Sequence, residues 1–286
     1  MTREERAFMS NQMTYTYTSA LPDYSVTHPQ GTANGTTVFL LHGAFGAKEY
    51  WRAQIRCFAQ NGYRVIAWDA PGYGLSPLPE EFSIDYCAKA AAALIQKEGG
   101  KRNVVMGHSM GGMIAQRAWL YAPDLIHGYV LSATSAAFGQ SDGDWQREFV
   151  RQRVAPLDAG RSIPDYAPDM LKSMMAPGAH GKNVDLLIAT VSEMREETFR
   201  AAVASIASYE GRALLAGMNV PALCIAGELD RTAPAVVMQK MASKMPKAEF
   251  VELQGAGHFG WAENAAQFNM QIIQFLSSNG LGTTAA

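Results

Sequence analysis

The 286-residue sequence is poor in cysteine, in net charge and in long apolar runs. Its three cysteines, Cys57, Cys87 and Cys224, are widely scattered. An odd number without metal-like spacing excludes a disulfide framework and predicts reduced thiols in a cytoplasmic protein. Cys57 and Cys224 fall in apolar stretches and read as small core residues. With 24 basic against 26 acidic residues the formal net charge is −2. That balance does not attract a polyanion, so no nucleic-acid partner is expected. No run approaches the roughly 20 apolar residues that cross a bilayer. The opening MTREERAFMSNQMTYTYTSA lacks the apolar core of a signal peptide, and no membrane association is expected. There is no H-E-x-x-H, no clustered Cys/His spacing and no G-x-G-x-x-G after a strand. Neither a metal nor another cofactor is expected.

What is present is a globular composition, 48% apolar and 17% charged, in a chain long enough for a large core. TTVFLLHG (36–43), YRVIAWDAPGYG, NVVMGHS, IHGYVLSAT, PALCIAGELD (221–230) and AEFVELQ read as strands. TTVFLLHG is a continuous apolar run ending in glycine, the mark of a strand covered on both faces. TYTYTSA and DYSVTH before them read as a short hairpin-like start. Helical spacing appears next in EYWRAQIRCFAQNG. Ser83 looks like the N-cap of a helix over IDYCAKAAAALIQKE, closed by Gly99-Gly100. Further helices are read in MGGMIAQRAWLYA, PAVVMQKMASKM and AAQFNMQIIQFL. This alternation predicts an α/β fold with a mostly parallel sheet of about eight strands flanked by helices.

One segment breaks the alternation. From about Thr134 to Arg212 there is no strand pattern but four helical ones, DWQREFVRQRV, DYAPDMLKSMM, NVDLLIATVSEM and ETFRAAVASIASY. Prolines 156, 164, 168 and 177 are expected to cut it into short pieces. The segment reads as a helical cap inserted after strand 6. The chain is then divided into a first core part (1–133), the cap (134–212) and a second core part (213–286). The alternative is a set of ordinary crossover helices, although so long a crossover exceeds what a parallel connection needs.

Gly107-His108-Ser109-Met110-Gly111 fits G-x-S-x-G, with a strand before it and a helix after. A serine on so tight a bend sits in strained backbone, and glycines at its flanks remove clashes. Gly112 lets the helix pack closely beneath. A serine hydroxyl needs a base, and that base an orienting acid. Downstream, Asp230 and His258 each end a predicted strand, in the order Ser…Asp…His. Glu228 and Asp69 are the weaker candidates for the acid, and a turn-stabilising role suits Asp69. His28, His127 and His180 fit the base less well. His108 reads as shaping the elbow. For an oxyanion, the backbone N–H groups of Met110 and Ala44 are the expected donors, with Phe45 next.

Together LLHGAFGAKEYW, VIAWDAPGYGLS, GHSMGG, GELDRTAP and GAGHFGWAENAAQFNMQIIQFL resemble the α/β-hydrolase superfamily. The likeness runs from about Thr36 to Leu276 and is nearest the capped branch with carboxylesterases, enol-lactonases and meta-cleavage-product hydrolases. Haloalkane dehalogenases and epoxide hydrolases carry an aspartate nucleophile where this chain has Ser109. The resemblance implies a cofactor-free serine hydrolase of a small ester or lactone, with Ser109 as nucleophile, His258 as base and Asp230 as orienting acid. A C–C hydrolase of a vinylogous diketone acid is the alternative. From another class, a non-hydrolytic ligand receptor or a cofactor-free lyase or oxygenase stays open. The expected partner is a small-molecule substrate, with a homodimer left open. Phe45, His108, Trp145, Met174 and Phe259 are candidates to touch it. One of Arg147, Arg151, Arg153 and Arg195 is a candidate to face inward and hold a substrate carboxylate.

Overall fold

Seven strands form one sheet in the order β1-β3-β2-β4-β5-β6-β7 in a computed structural model that describes residues 19–138 and 143–282. The strands are β1 (Tyr24–Thr27), β2 (Thr36–Leu41), β3 (Arg64–Trp68), β4 (Arg102–His108), β5 (Gly128–Ser132), β6 (Ala222–Gly227) and β7 (Ala248–Leu253). Only β1 runs antiparallel, against β3. The helices of the core are α1 (Arg52–Gln60), α2 (Ile84–Glu98) and α3 (Met110–Ala118). Between β5 and β6 lie α4 (Asp144–Asp158), α5 (Ile163–Met174), α6 (Lys182–Val191) and α7 (Glu196–Ala207). The chain closes with α8 (Ala235–Ala242), the single turn α9 (Gly260–Glu263) and α10 (Ala265–Ser278).

Among the described residues there are seven strands where about eight were expected. Of the two leading strands, DYSVTH supplies β1, whereas TYTYTSA lies almost wholly outside the described residues. The four-helix segment comes after IHGYVLSAT, the strand it was expected to follow, which is the fifth of the described strands.

Burial explains the sheet. Every residue of β2, β5 and β6 is buried, as continuous apolar runs covered on both faces must be. Edge strand β7 instead carries partly covered and exposed residues, with only Leu253 buried. Helix α2 starts where Ser83 Oγ accepts the Tyr86 N–H at 3.0 Å and ends at Gly99. The prolines behave differently from expectation. Pro156 and Pro168 lie inside α4 and α5 and do not end them. Pro156 is two residues from the helix end, and Pro168 is in the second turn, so each removes one backbone bond from a helix otherwise held by packing. Ser162 and Asp165 form a capping box at the start of α5, with Pro164 in its first turn.

Two features of this fold position the site. The chain leaves β2 for β3 on one side of the sheet and then crosses to β4 on the other, so the loops after β2 and β4 part at a switch point. Ligands of open parallel sheets bind at such a point, outside the carboxyl ends of the strands. Secondly, the helices between β5 and β6 share the core beside that point: Tyr166, Leu171, Met175, Leu187 and Phe199 cluster with Phe45 and Phe259. Phe199 of α7 lies 5.3 Å from Phe45, centroid to centroid. Among the described residues no helix is long and apolar enough to cross a membrane.

Candidate active site

Ser109 directly follows β4 and caps α3 with φ 52° and ψ −117°, one of two non-glycine residues at positive φ among those described. Such backbone is costly for a residue with a side chain and persists only where the surroundings impose it. The surroundings here are close. A Cβ on Gly107 would lie 2.3 Å from the Gly111 carbonyl oxygen, and one on Gly111 would lie 2.1 Å from that of Leu41. No other residue fits at either place. Serine at a helix start ordinarily turns its hydroxyl onto the helix amides. Here it makes no capping bond; the positive φ turns Oγ away, and it donates to His258 Nε2 at 3.1 Å.

The other nitrogen of that imidazole, Nδ1, lies 2.8 Å from Asp230 Oδ2. Both side chains are almost wholly buried. A carboxylate only accepts, so Nδ1 carries the proton and Nε2 is left as the acceptor for the serine. Asp230 Oδ1 accepts the N–H groups of Thr232 at 2.7 Å and Ala233 at 3.0 Å. Burial alone would push the Asp230 carboxyl up, but His258 and these two amides outweigh it and hold it below the usual carboxylate range. Glu228, the rival acid, accepts the Gly255 N–H instead. Asp69 instead binds Lys48 through both that residue's backbone N–H and its ammonium group.

Two backbone N–H groups beside Ser109 have fixed directions. The Gly43 carbonyl accepts from Gly46 N–H at 3.0 Å and from His42 Nδ1 at 2.8 Å. The Ser109 carbonyl accepts from Gly112 N–H at 2.9 Å and Thr134 Oγ1 at 2.7 Å. In a planar trans peptide the N–H points opposite to the carbonyl. Fixing these carbonyls therefore aims the N–H groups of Ala44 and Met110 the other way, and neither has an acceptor among the described residues. His42 shows how the loop is held: its Nε2 accepts the Ala70 N–H at 2.9 Å, which leaves the proton on Nδ1 for Gly43. The Tyr73 hydroxyl holds the Ala44 carbonyl at 3.1 Å.

A small crevice opens between these groups, lined by Gly43, Ala44, Phe45, Tyr50, His108, Ser109, His258 and Phe259. Of the side chains expected to touch a ligand, Phe45, His108 and Phe259 line it. Met174 does not. Its carbonyl instead accepts the His258 N–H at 2.9 Å, because α5 ends against the histidine loop. Trp145 falls on α4, and its side chain is outside the described residues. No arginine lines the crevice. Arg147 and Arg151 pair with Asp144 and Glu148 on the surface of α4, Arg153 covers the Phe149 ring, and Arg195 donates to the carbonyls of Gly72 and Ser76. Neighbours on the same or an adjacent turn take the first three guanidinium groups, and loop carbonyls distant in sequence take that of Arg195. Sequence reading missed Tyr50, which accepts the Gly43 N–H at 2.9 Å and stacks on Trp261 at 4.1 Å. It also missed Thr134. Each acts on backbone, Tyr50 on Gly43 seven residues earlier and Thr134 on Ser109 25 residues earlier, so neither side chain carries a signature of its own.

Two further histidines have a measurable consequence. His42 and His108 are 0% and 1% exposed. Burial holds both below the ordinary histidine range, and for His108 the neighbouring His258 and His42 add to it. Below about pH 6.5 the unfolded chain takes up protons at both positions that the folded chain refuses. Stability is therefore fully present above that pH and falls beneath it, by about 1.4 kcal/mol per pH unit for each histidine still neutral when folded. Urea midpoints measured from pH 7.5 to 5.5 should decline, and less steeply in His108→Gln. A flat profile would contradict the assignment.

Residues 38–271 match the model of the alpha/beta hydrolase family. A 2-hydroxy-6-oxononadienedioate/2-hydroxy-6-oxononatrienedioate hydrolase from a Pseudomonas species is 27% identical over 267 residues, covering 87% of this chain and 91% of that protein. Among solved structures, an esterase from Thermogutta terrifontis aligns with a TM-score of 0.75 at 24% identity, covering 94% of this chain and 98% of that one. A bromoperoxidase from Bacillus anthracis aligns with a TM-score of 0.78 at 20% identity, covering 89% and 94%. These two likenesses are of fold.

Proposed function

The chain belongs to the alpha/beta hydrolase family, and from that premise we propose that it is a serine hydrolase cleaving a small carboxylic ester or lactone through an acyl-enzyme. The observation that carries this reading is the continuous bonding from Asp230 Oδ2 through His258 to Ser109 Oγ, at 2.8 and 3.1 Å. His258 Nε2 takes the Ser109 proton as Oγ attacks the substrate carbonyl carbon. The carbonyl oxygen becomes an oxyanion and meets the N–H groups of Ala44 and Met110, whose directions are set before the substrate arrives. The oxyanion collapses, the C–O bond to the alcohol breaks, and His258 gives its proton to the departing oxygen. Water then repeats the sequence on the acyl-serine, with His258 as base, releasing the acid and restoring Ser109. Asp230 keeps the imidazole in the required tautomer and stabilises its charged form. The cytoplasmic, cofactor-independent character expected from the sequence belongs to this reading.

The apolar wall of Phe45, Tyr50 and Phe259, without an arginine on it, supports a neutral ester or lactone over a diacid. The second reading, hydrolysis of a C–C bond in a vinylogous diketone acid, is supported by the name of the Pseudomonas relative. A single turnover panel separates them. Purified protein is offered p-nitrophenyl esters of increasing chain length, lactones and a vinylogous diketone acid, and products are identified by mass. We expect acid plus alcohol from the short esters or lactones. Turnover of the diketone acid alone would establish the second reading. No turnover, together with no labelling of Ser109 by a fluorophosphonate, would leave a receptor or non-hydrolytic role.

A further inference from the structure

Glu263 has no cationic partner among the described residues. Its carboxylate is occupied by backbone amides from two separate parts of the chain. Oε2 accepts the N–H of Gly257 at 2.9 Å and of Ala176 at 2.7 Å, and Oε1 accepts the N–H of Phe259 at 2.9 Å. Gly257 and Phe259 flank His258, whose own N–H goes to the Met174 carbonyl at 2.9 Å. All three consecutive amides of the loop bearing the imidazole are therefore held, two by Glu263 and one by the end of α5. Contact along this seam is too close for a side chain: a Cβ on Gly257 would lie 2.6 Å from the Ala176 nitrogen.

Hydrogen bonds to an ionised acceptor are about twice as strong as neutral ones. A carboxylate that spans both sides of His258 and reaches across to residue 176 fixes the loop to the helices between β5 and β6. We propose that Glu263 is a positioning residue. It joins the His258 loop and the end of α5 into one unit, keeping Nε2 at Ser109 and making the base follow any displacement of α5. The proposal rests on the serine-hydrolase reading for its kinetic effect, but not for its structural one.

The test uses the full chain carrying Glu263→Gln, which leaves one acceptor oxygen and turns an amide NH2 toward the loop amides. A second variant, Glu263→Asp, keeps the charge but is one methylene too short to reach all three N–H groups. It decides the matter with the same readouts if the first does not fold. Two readouts are taken on folded protein well below each variant's melting temperature. The first is kcat on a short p-nitrophenyl ester with the rate of fluorophosphonate labelling. We expect both to fall at least about tenfold, with KM changed by less than about twofold. The second is the low-field proton resonance of the His258–Asp230 hydrogen bond. We expect it in the native protein, and shifted or broadened away in the variants. A lower melting temperature with unchanged labelling and an unchanged resonance would make Glu263 merely structural and overturn the proposal. Native protein that is never labelled would overturn the hydrolase reading instead, while the resonance still decides the role of Glu263.

Discussion

Ser109→Ala and His258→Ala are each expected to lower kcat on a responsive ester by about 10⁵- to 10⁶-fold, and the double variant by no more than either alone. The reason is geometric. Oγ makes one bond among the described residues, to His258 Nε2, and each group is useful only through the other. Without the base, the hydroxyl keeps its proton; without the hydroxyl, the base has nothing to activate. Additivity fails for groups that act as one unit. The residual rate should come from the N–H groups of Ala44 and Met110, untouched in either variant. Both proteins should fold. The positive φ of Ser109 is imposed by its neighbours, and the His258 loop stays bound through its backbone N–H groups to Glu263 and Met174. Circular dichroism with kcat of active-site-titrated protein checks this. Native-like turnover in His258→Ala would mean that the base is misassigned, and a strictly multiplicative double variant that the two do not act together.

The parts of this site that are legible in the sequence are those whose position depends on one strand. A buried apolar run announces a parallel strand, and the residues just past its end lie at the sheet's carboxyl edge. Ser109 and Asp230 lie past the buried strands β4 and β6, and His258 past the edge strand β7, so their convergence is expected from order alone. Glycines 107 and 111 are readable for the same reason, since the bend is local. The illegible parts act through main-chain atoms at long range. Thr134 reaches the carbonyl of Ser109, 25 residues earlier, and Glu263 reaches the amide of Ala176, 87 residues earlier. Such bonds leave no spacing or residue-type signature. Met174 illustrates the opposite error: its side chain suggests a pocket wall, whereas its carbonyl is the part engaged. Pro156 and Pro168 escape the local rule because tertiary packing overrides a penalty of one lost backbone bond. Proteins named for different activities, a bromoperoxidase and an esterase, share this fold, so the sheet alone does not select a substrate.

Asp230→Asn is expected to lower kcat by about 10⁴-fold with little change in KM, although it changes a single oxygen to nitrogen. Asp230 Oδ1 is fixed by two donors, the N–H groups of Thr232 and Ala233. In the variant those donors still require an oxygen at that place, so the new NH2 must take the position of Oδ2, facing His258 Nδ1. Two N–H groups cannot point at each other. The imidazole therefore moves its proton to Nε2, where it is directed at Ser109 Oγ and can no longer accept from it. Glu228 cannot substitute, because its carboxylate is held on the Gly255 N–H across the turn. The expected loss is one of base capacity and not of binding, so fluorophosphonate labelling should slow in parallel with kcat. The low-field proton of the Nδ1 bond should also disappear. Since the Asp230 carboxyl is held below the usual range, native activity should keep this group ionised throughout the neutral region. A loss of less than tenfold in Asp230→Asn would mean that the carboxylate does not set the tautomer, and Asp230 would have to be withdrawn as the orienting acid.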